Sequence, residues 1–86
     1  MRIDKFLKVS RVIKRRTVAN EACDAGRVSV NGRPAKASVR VKSGDIVEIG
    51  FAGGVVKFEV LAIKETVKKD EAACMYRIIE EVGNEE

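Results

Sequence analysis

The sequence contains no histidine, which removes the usual general base and the usual nitrogen ligand for a metal at neutral pH. Its two cysteines, Cys23 and Cys74, lack CxxC spacing and are too few for a structural zinc site. No metal or cofactor is therefore expected, and both cysteines are read as buried thiols. There is no tryptophan, and only Phe6, Phe51, Phe58 and Tyr76 supply aromatic rings, three of the four expected in the core. Single-strand binders usually offer more stacking platforms than this. No stretch of about 18 apolar residues occurs, and charges interrupt the opening MRIDKFLKV every few residues. Neither a membrane span nor a signal peptide is expected, and the chain reads as cytoplasmic.

Eighty-six residues with 45% hydrophobic and 35% charged composition fit one ordinary domain with a single modest core. That length leaves no room for a catalytic domain beside a binding module, and no paired nucleophile and base stands out. The chain is expected to be a non-enzymatic monomer without a small-molecule substrate.

The net charge of +4 conceals a polarised chain. Residues 1–42 carry 12 Lys/Arg against 3 Asp/Glu, or +9, whereas residues 43–86 carry 5 against 10, or −5. A basic face of that strength suits a polyanion.

Apolar residues at three- and four-residue steps predict a helix from Ile3 to Ile13, with Lys5, Lys8, Arg11 and Lys14 outside and Asp4 as its N-cap or first-turn acid. Thr17 is the expected N-cap of a second helix with a Val18, Ala22, Ala25 stripe and Ala19 and Cys23 beside it, stopped by Gly26. Lys14, Arg15 and Arg16 then crowd its positive end, a cost that an anion would relieve. Val28–Val30 alternates as a strand, and Asn31-Gly32 suits a two-residue hairpin turn whose return, carrying Pro34, is an edge. Val39 and Val41 alternate again. Ser43-Gly44-Asp45 reads as a turn, Ile46–Ile49 and Val55–Ile63 as strands. Residues 70–82 read as a short C-terminal helix on the strength of Glu71, Ala72 and Ala73, with a strand through Met75–Ile79 as the alternative. Residues from Gly83 onward are expected to fray.

Residues 2–32, RIDKFLKVSRVIKRRTVANEACDAGRVSVNG, resemble the alpha-L RNA-binding motif, the S-four type domain. The matches are Arg2-Ile3-Asp4-Lys5-Phe6-Leu7, then Arg16-Thr17 before Ala19, then Gly26, Val28 and Val30-Asn31-Gly32, with Lys42-Ser43-Gly44-Asp45-Ile46 as the following turn. KVSRVIKRRT, Lys36-Ala37-Ser38 and the stretch from Lys64 to Ala73 followed by Met75-Tyr76 are similar to the bacterial ribosome-associated quality-control factor P family, relatives of the fifteen-kilodalton heat-shock protein. The resemblance implies an α+β fold, with two N-terminal helices on a small antiparallel sheet and a short C-terminal helix. It implies an RNA-binding domain over residues 1–50 and an extension over 51–86 packed on the same core. It also implies partners, namely ribosomal RNA and tRNA on the large ribosomal subunit, and a role in rescue of stalled translation that supports C-terminal alanine tailing. Carried over from the motif, the RNA contacts are Arg2, Lys5, Arg11, Lys14, Arg15, Arg16, Thr17, Asn31 and Lys36.

Two other classes remain. An RNA-modifying enzyme, or its targeting module, would be revealed by a new modified nucleoside in treated RNA. The other is a basic surface for an acidic protein or an anionic membrane: folded RNA should displace either rival ligand, and the membrane version fails if anionic vesicles do not retain the protein. With few aromatic rings, the RNA reading favours the shape and backbone of a folded RNA over base sequence.

Overall fold

The computed structural model describes residues 1–51, 53–65, 67–68 and 70–83. Helix α1 spans Ile3–Val9 and buries Ile3, Phe6 and Leu7. It stops short of the expected Ile13 because Ser10 caps it and Arg11 takes φ 65°, a left-handed conformation no α-helix continues through. Ile13 still reaches the core, from a tight link in which its amide donates to the Leu7 carbonyl at 3.0 Å. The apolar spacing therefore registers burial beyond the helix itself.

Helix α2 spans Arg16–Asp24 with Arg15 at the N-cap, so Thr17 lies inside the first turn and does not cap it. Its buried side is Ala19, Ala22 and Cys23, while Val18 and Ala25 are exposed, one residue round from the expected stripe. Small residues on the buried side let α2 approach α1 closely. Gly26, at φ 77°, ends the helix as expected.

Five strands form one antiparallel sheet: β1 Val28–Val30, β2 Arg33–Pro34, β3 Ile46–Phe51, β4 Gly54–Val60 and β5 Tyr76–Gly83. Their order is β2-β1-β3-β4-β5. Asn31 and Gly32, at φ 53° and 82°, make the β1–β2 turn, and Pro34 sits on the edge. Val39 and Val41 do not extend into a strand. That segment makes a single bridge, Arg2 opposite Arg40, and ties down the chain start through Ile3 N to Val39 O at 2.7 Å and Val41 N to Met1 O at 2.9 Å. Strand β4 ends at Val60, before the expected Ile63, because Leu61 and Ala62 turn their amides to the Met75 carbonyl.

The expected C-terminal helix is not formed. Ala72–Met75 makes one 3-10 turn, and β5 follows, pairing Ile78 with Phe58 and Val82 with Val55. Ladder bonds to β4 and the β-branched Ile78, Ile79 and Val82 outweigh the helix propensity of Glu71–Ala73. Gly83 belongs to β5, while residues 84–86 lie outside the described residues. Cys74 is exposed at the end of this turn, unlike the buried Cys23.

Both helices cover one face of the sheet, over Val28, Val47, Ile49, Phe58 and Val60. Phe6 stacks on Phe58 with centroids 6.1 Å apart, and Tyr76 meets Phe58 edge-on at 5.3 Å. Those rings join α1, β4 and β5 into one core.

Candidate nucleic-acid interface

The start of α1 and the start of α2 meet at Asp4. Its side chain is 3% exposed, and the carboxylate accepts the Lys5 amide at 2.7 Å. Arg16 presents Nε to Oδ2 and Nη2 to Oδ1, each at 3.4 Å, and Arg2 Nη2 lies 3.3 Å from Oδ2. One nearly buried carboxylate thus orients two guanidinium groups whose side chains are 44% and 48% exposed. Burial pushes the Asp4 pKa up, but the hydrogen bonds from Arg16 and the Lys5 amide, the Arg16 charge and Asn20 outweigh it, and the carboxyl titrates below its ordinary value.

Asp4, Arg16, Thr17, Asn20 and Glu21 line a surface groove of about 340 Å³. No side chain caps α2, and its first backbone bond runs from Ala19 N to Arg15 O. The amide N–H groups of its first turn consequently have no intrahelical acceptor and add their partial positive charge beside Arg16. Asn20 escaped the sequence reading. Its position one helical turn after Arg16 was the available signal.

The other candidate residues are placed as follows. Lys36 is exposed in the segment whose neighbour Ala37 accepts the Asp4 amide at 3.4 Å, so it belongs to the same end of α1. Arg40, opposite Arg2, also belongs there and was missed, since nothing in the sequence pairs positions 2 and 40. Lys5 ion-pairs with Glu65 from the C-terminal half, whose carboxyl is thereby held below its ordinary pKa by the Lys5 hydrogen bond and charge. Lys14 and Arg15 are exposed in the link before α2, and Arg11 lies beyond the far end of α1 from Asp4. Among the described residues these three have no carboxylate partner within ion-pair distance.

Asn31 is committed elsewhere. Its Nδ2 donates to Asp45 Oδ1 at 3.1 Å and its Oδ1 accepts the Ile46 amide at 2.9 Å, while Asp45 Oδ2 accepts the Lys42 amide at 2.9 Å. The structure brings Arg2 and Arg16 together on Asp4, with Thr17 and Lys36 close by in the fold, and leaves Arg11 and Asn31 apart from them.

The S4 domain matches residues 1–47. The chain is 56% identical over 81 residues to the RQC P-site tRNA stabilizing factor of Bacillus subtilis (strain 168), covering 94% of each. It is 54% identical over 86 residues to the protein of that name from Streptococcus pneumoniae (strain ATCC BAA-255 / R6), covering 100% of this chain and 98% of the other. The chain belongs to the S4 domain family of RQC P-site tRNA stabilizing factors. The trimeric structure of Vibrio cholerae Heat Shock Protein 15 is similar to it with a TM-score of 0.84 at 28% identity, over 91% of this chain and 80% of that one. The resemblance drawn from the sequence, and the α+β fold with two helices on an antiparallel sheet, are borne out. The Asp4 cluster lies wholly inside the S4 domain match.

Proposed function

We propose that this S4 domain protein binds tRNA and ribosomal RNA on the large ribosomal subunit during quality control of stalled translation, holding the P-site tRNA while C-terminal alanine tailing proceeds. The carrying observation is the pair of guanidinium groups of Arg2 and Arg16 fixed by Asp4 beside the uncapped start of α2. Forked guanidinium groups match phosphate oxygens, and backbone N–H groups donate to the oxygens that remain. The function shared by the relatives' names supplies the setting.

In this reading Arg2, Arg16, Thr17 and Lys36 form the central contact, and Lys5, Arg11, Lys14 and Arg15 extend it along the RNA backbone. Asn31 serves by holding the β1–β2 hairpin in shape. Residues 1–50 act as the RNA-binding domain and 51–86 as an extension on the same core. We read the protein as a cytoplasmic monomer and as a binder without catalysis, because the chain has no histidine and Asp4, one of the two acids lining the groove, is engaged by two arginines. Among the described residues no helix is long and apolar enough to cross a membrane.

Sedimentation tests the proposal. The protein is expected to travel with large subunits, most strongly when they retain peptidyl-tRNA, and to be released when Arg11 and Arg16 are both changed to Ala. Sedimentation unchanged by that double substitution would rule out this face.

A further inference from the structure

We propose that a cleft where α2 meets the end of β3 receives one unpaired nucleobase of the bound RNA, stacked against Phe51; this rests on the RNA-binding reading above. Phe51 has the same strand parity as Val47 and Ile49, both fully buried, so its ring projects to the helix-covered face of the sheet. It lies at the strand's last position, where helix cover runs out, and is 42% exposed. Val18, displaced from the buried side of α2, is 44% exposed and lines the same cleft. Two large apolar groups thus stand open to solvent around one hollow.

The cleft measures about 110 Å³. That is less than the roughly 150 Å³ of an enclosed apolar cavity that takes up a single benzene ring, so the base lies across the mouth of the cleft against Phe51 and is not enclosed. Ile13, Val18, Ala22 and Phe51 form its apolar walls, with Gly50, Glu21 and Arg27 completing it. The Arg27 amide donates to Ala22 O at 3.0 Å, and its carbonyl accepts the Gly50 amide at 2.8 Å, which pins its backbone between α2 and β3. Arg27 supplies hydrogen-bond donors and Glu21 an acceptor, the complement that a base edge requires.

Charge favours a base over the apolar side chain of a protein. Ile13, Val18, Glu21 and Arg27 all come from the segment of residues 1–42 that carries the +9 balance, and Lys14 and Arg15 lie in the link between Ile13 and α2. Cations flanking an aromatic shelf hold the phosphates on either side of an extruded base. Few aromatic rings in the sequence do not argue against this, because one exposed ring serves one base.

Binding of purified tRNA across a salt series, with wild type, Phe51→Ala, Phe51→Leu and Phe51→Trp, tests the inference; circular dichroism melts establish that each variant is folded. Phe51→Ala is expected to weaken binding about five- to 150-fold, as loss of one stacked base does. The slope of log affinity against log salt should stay as in wild type, since no phosphate contact is lost. Leu should restore little and Trp most of the affinity.

Unchanged tRNA affinity together with unchanged subunit sedimentation in Phe51→Ala overturns the proposal. Full rescue by Leu also overturns it, by showing apolar packing without stacking. A flattened salt slope does so as well, by showing that the ring only positions cations. In each of these outcomes the RNA-binding reading stands through Arg16. Absence of tRNA binding by wild type itself would remove both.

Discussion

Asp4 and Arg16, 12 residues apart in sequence, face each other with two nitrogens of the guanidinium 3.4 Å from the two carboxylate oxygens. The carboxylate is nearly buried and the guanidinium half exposed, so the acid acts as a mount for a cation that still faces solvent. That role, beside its bond to the Lys5 amide, accounts for a negative residue at the heart of the proposed RNA-contact surface. It also separates two accounts of RNA binding, one by total charge and one by placement of a few groups.

Asp4→Asn decides between them. The substitution removes a negative charge, so an account based on net charge expects tighter tRNA binding. Placement expects weaker binding, because Arg2 and Arg16 lose their common anchor. We expect at least a tenfold loss of tRNA affinity, about 1.4 kcal/mol, measured by filter binding at fixed salt. The stability cost should be about 1 kcal/mol, discounted for the exposure of both arginines. Tighter binding by the variant would favour net charge.

The same carboxylate gives stability a pH dependence. Its folded pKa lies below the ordinary value, so the native state binds fewer protons than the unfolded chain in that range. The contribution is therefore complete above the ordinary carboxylate pKa and is lost as pH falls through the lowered folded value. Melting temperatures of wild type and Asp4→Asn should differ most near neutrality and converge at acid pH. A constant difference across the range would mean that Asp4 acts through packing.

Much of this arrangement was legible in the sequence, and the misreadings have definable causes. Asn31-Gly32 announced its hairpin because both residues tolerate positive φ, a local property. The meeting of positions 2, 4 and 16 was not legible, since helical periodicity says nothing about which helix ends touch, and the spaced motif named Arg2 and Arg16 as contacts without pairing either with Asp4 across the two helices. Ile13 misled because its burial keeps helical spacing after the helix has ended at Val9. Residues 72–75 misled differently. Local propensity favoured helix, and the pairing of β5 with β4, 18 residues away at Glu59 and Arg77, decided otherwise. Phe51 could not be sorted from the core rings, since its exposure depends on where α2 stops covering the sheet.

Arg16 offers a test of the forked contact itself. Arg16→Ala should weaken tRNA binding and lower the salt slope by about 0.7 to 0.9. Arg16→Lys retains the positive charge but cannot present two parallel donors to Asp4 or to a phosphate. It should keep most of the slope while still losing affinity. Equal binding by Arg16→Lys and wild type would show that the charge alone suffices.

The two thiols should differ sharply in reactivity. Burial, then the Asp4 and Asp24 carboxylates, push the Cys23 pKa up to about 11, so it remains a protonated thiol at neutral pH. Cys74 is exposed. Iodoacetamide applied to the native protein near neutral pH should label Cys74 within minutes and leave Cys23 unmodified until denaturant is added, as read by peptide mass spectrometry. Early labelling of Cys23 would indicate that α2 opens readily from the core.

Asn31 tests whether a motif residue contributes to RNA binding directly or through the fold. Both ends of its amide are engaged, by Asp45 and by the Ile46 amide, and its φ of 53° favours Asn or Gly over other residues. Asn31→Ala loses the hydrogen bonds and suffers the backbone strain, for a cost of about 2 to 3 kcal/mol in urea unfolding. Asn31→Gly loses the hydrogen bonds alone and should cost about 1 kcal/mol less. At temperatures where each variant is fully folded, tRNA affinity and salt slope should equal those of wild type. A loss of affinity in folded Asn31→Gly would instead place this side chain on the RNA, at the expense of its tie to Asp45.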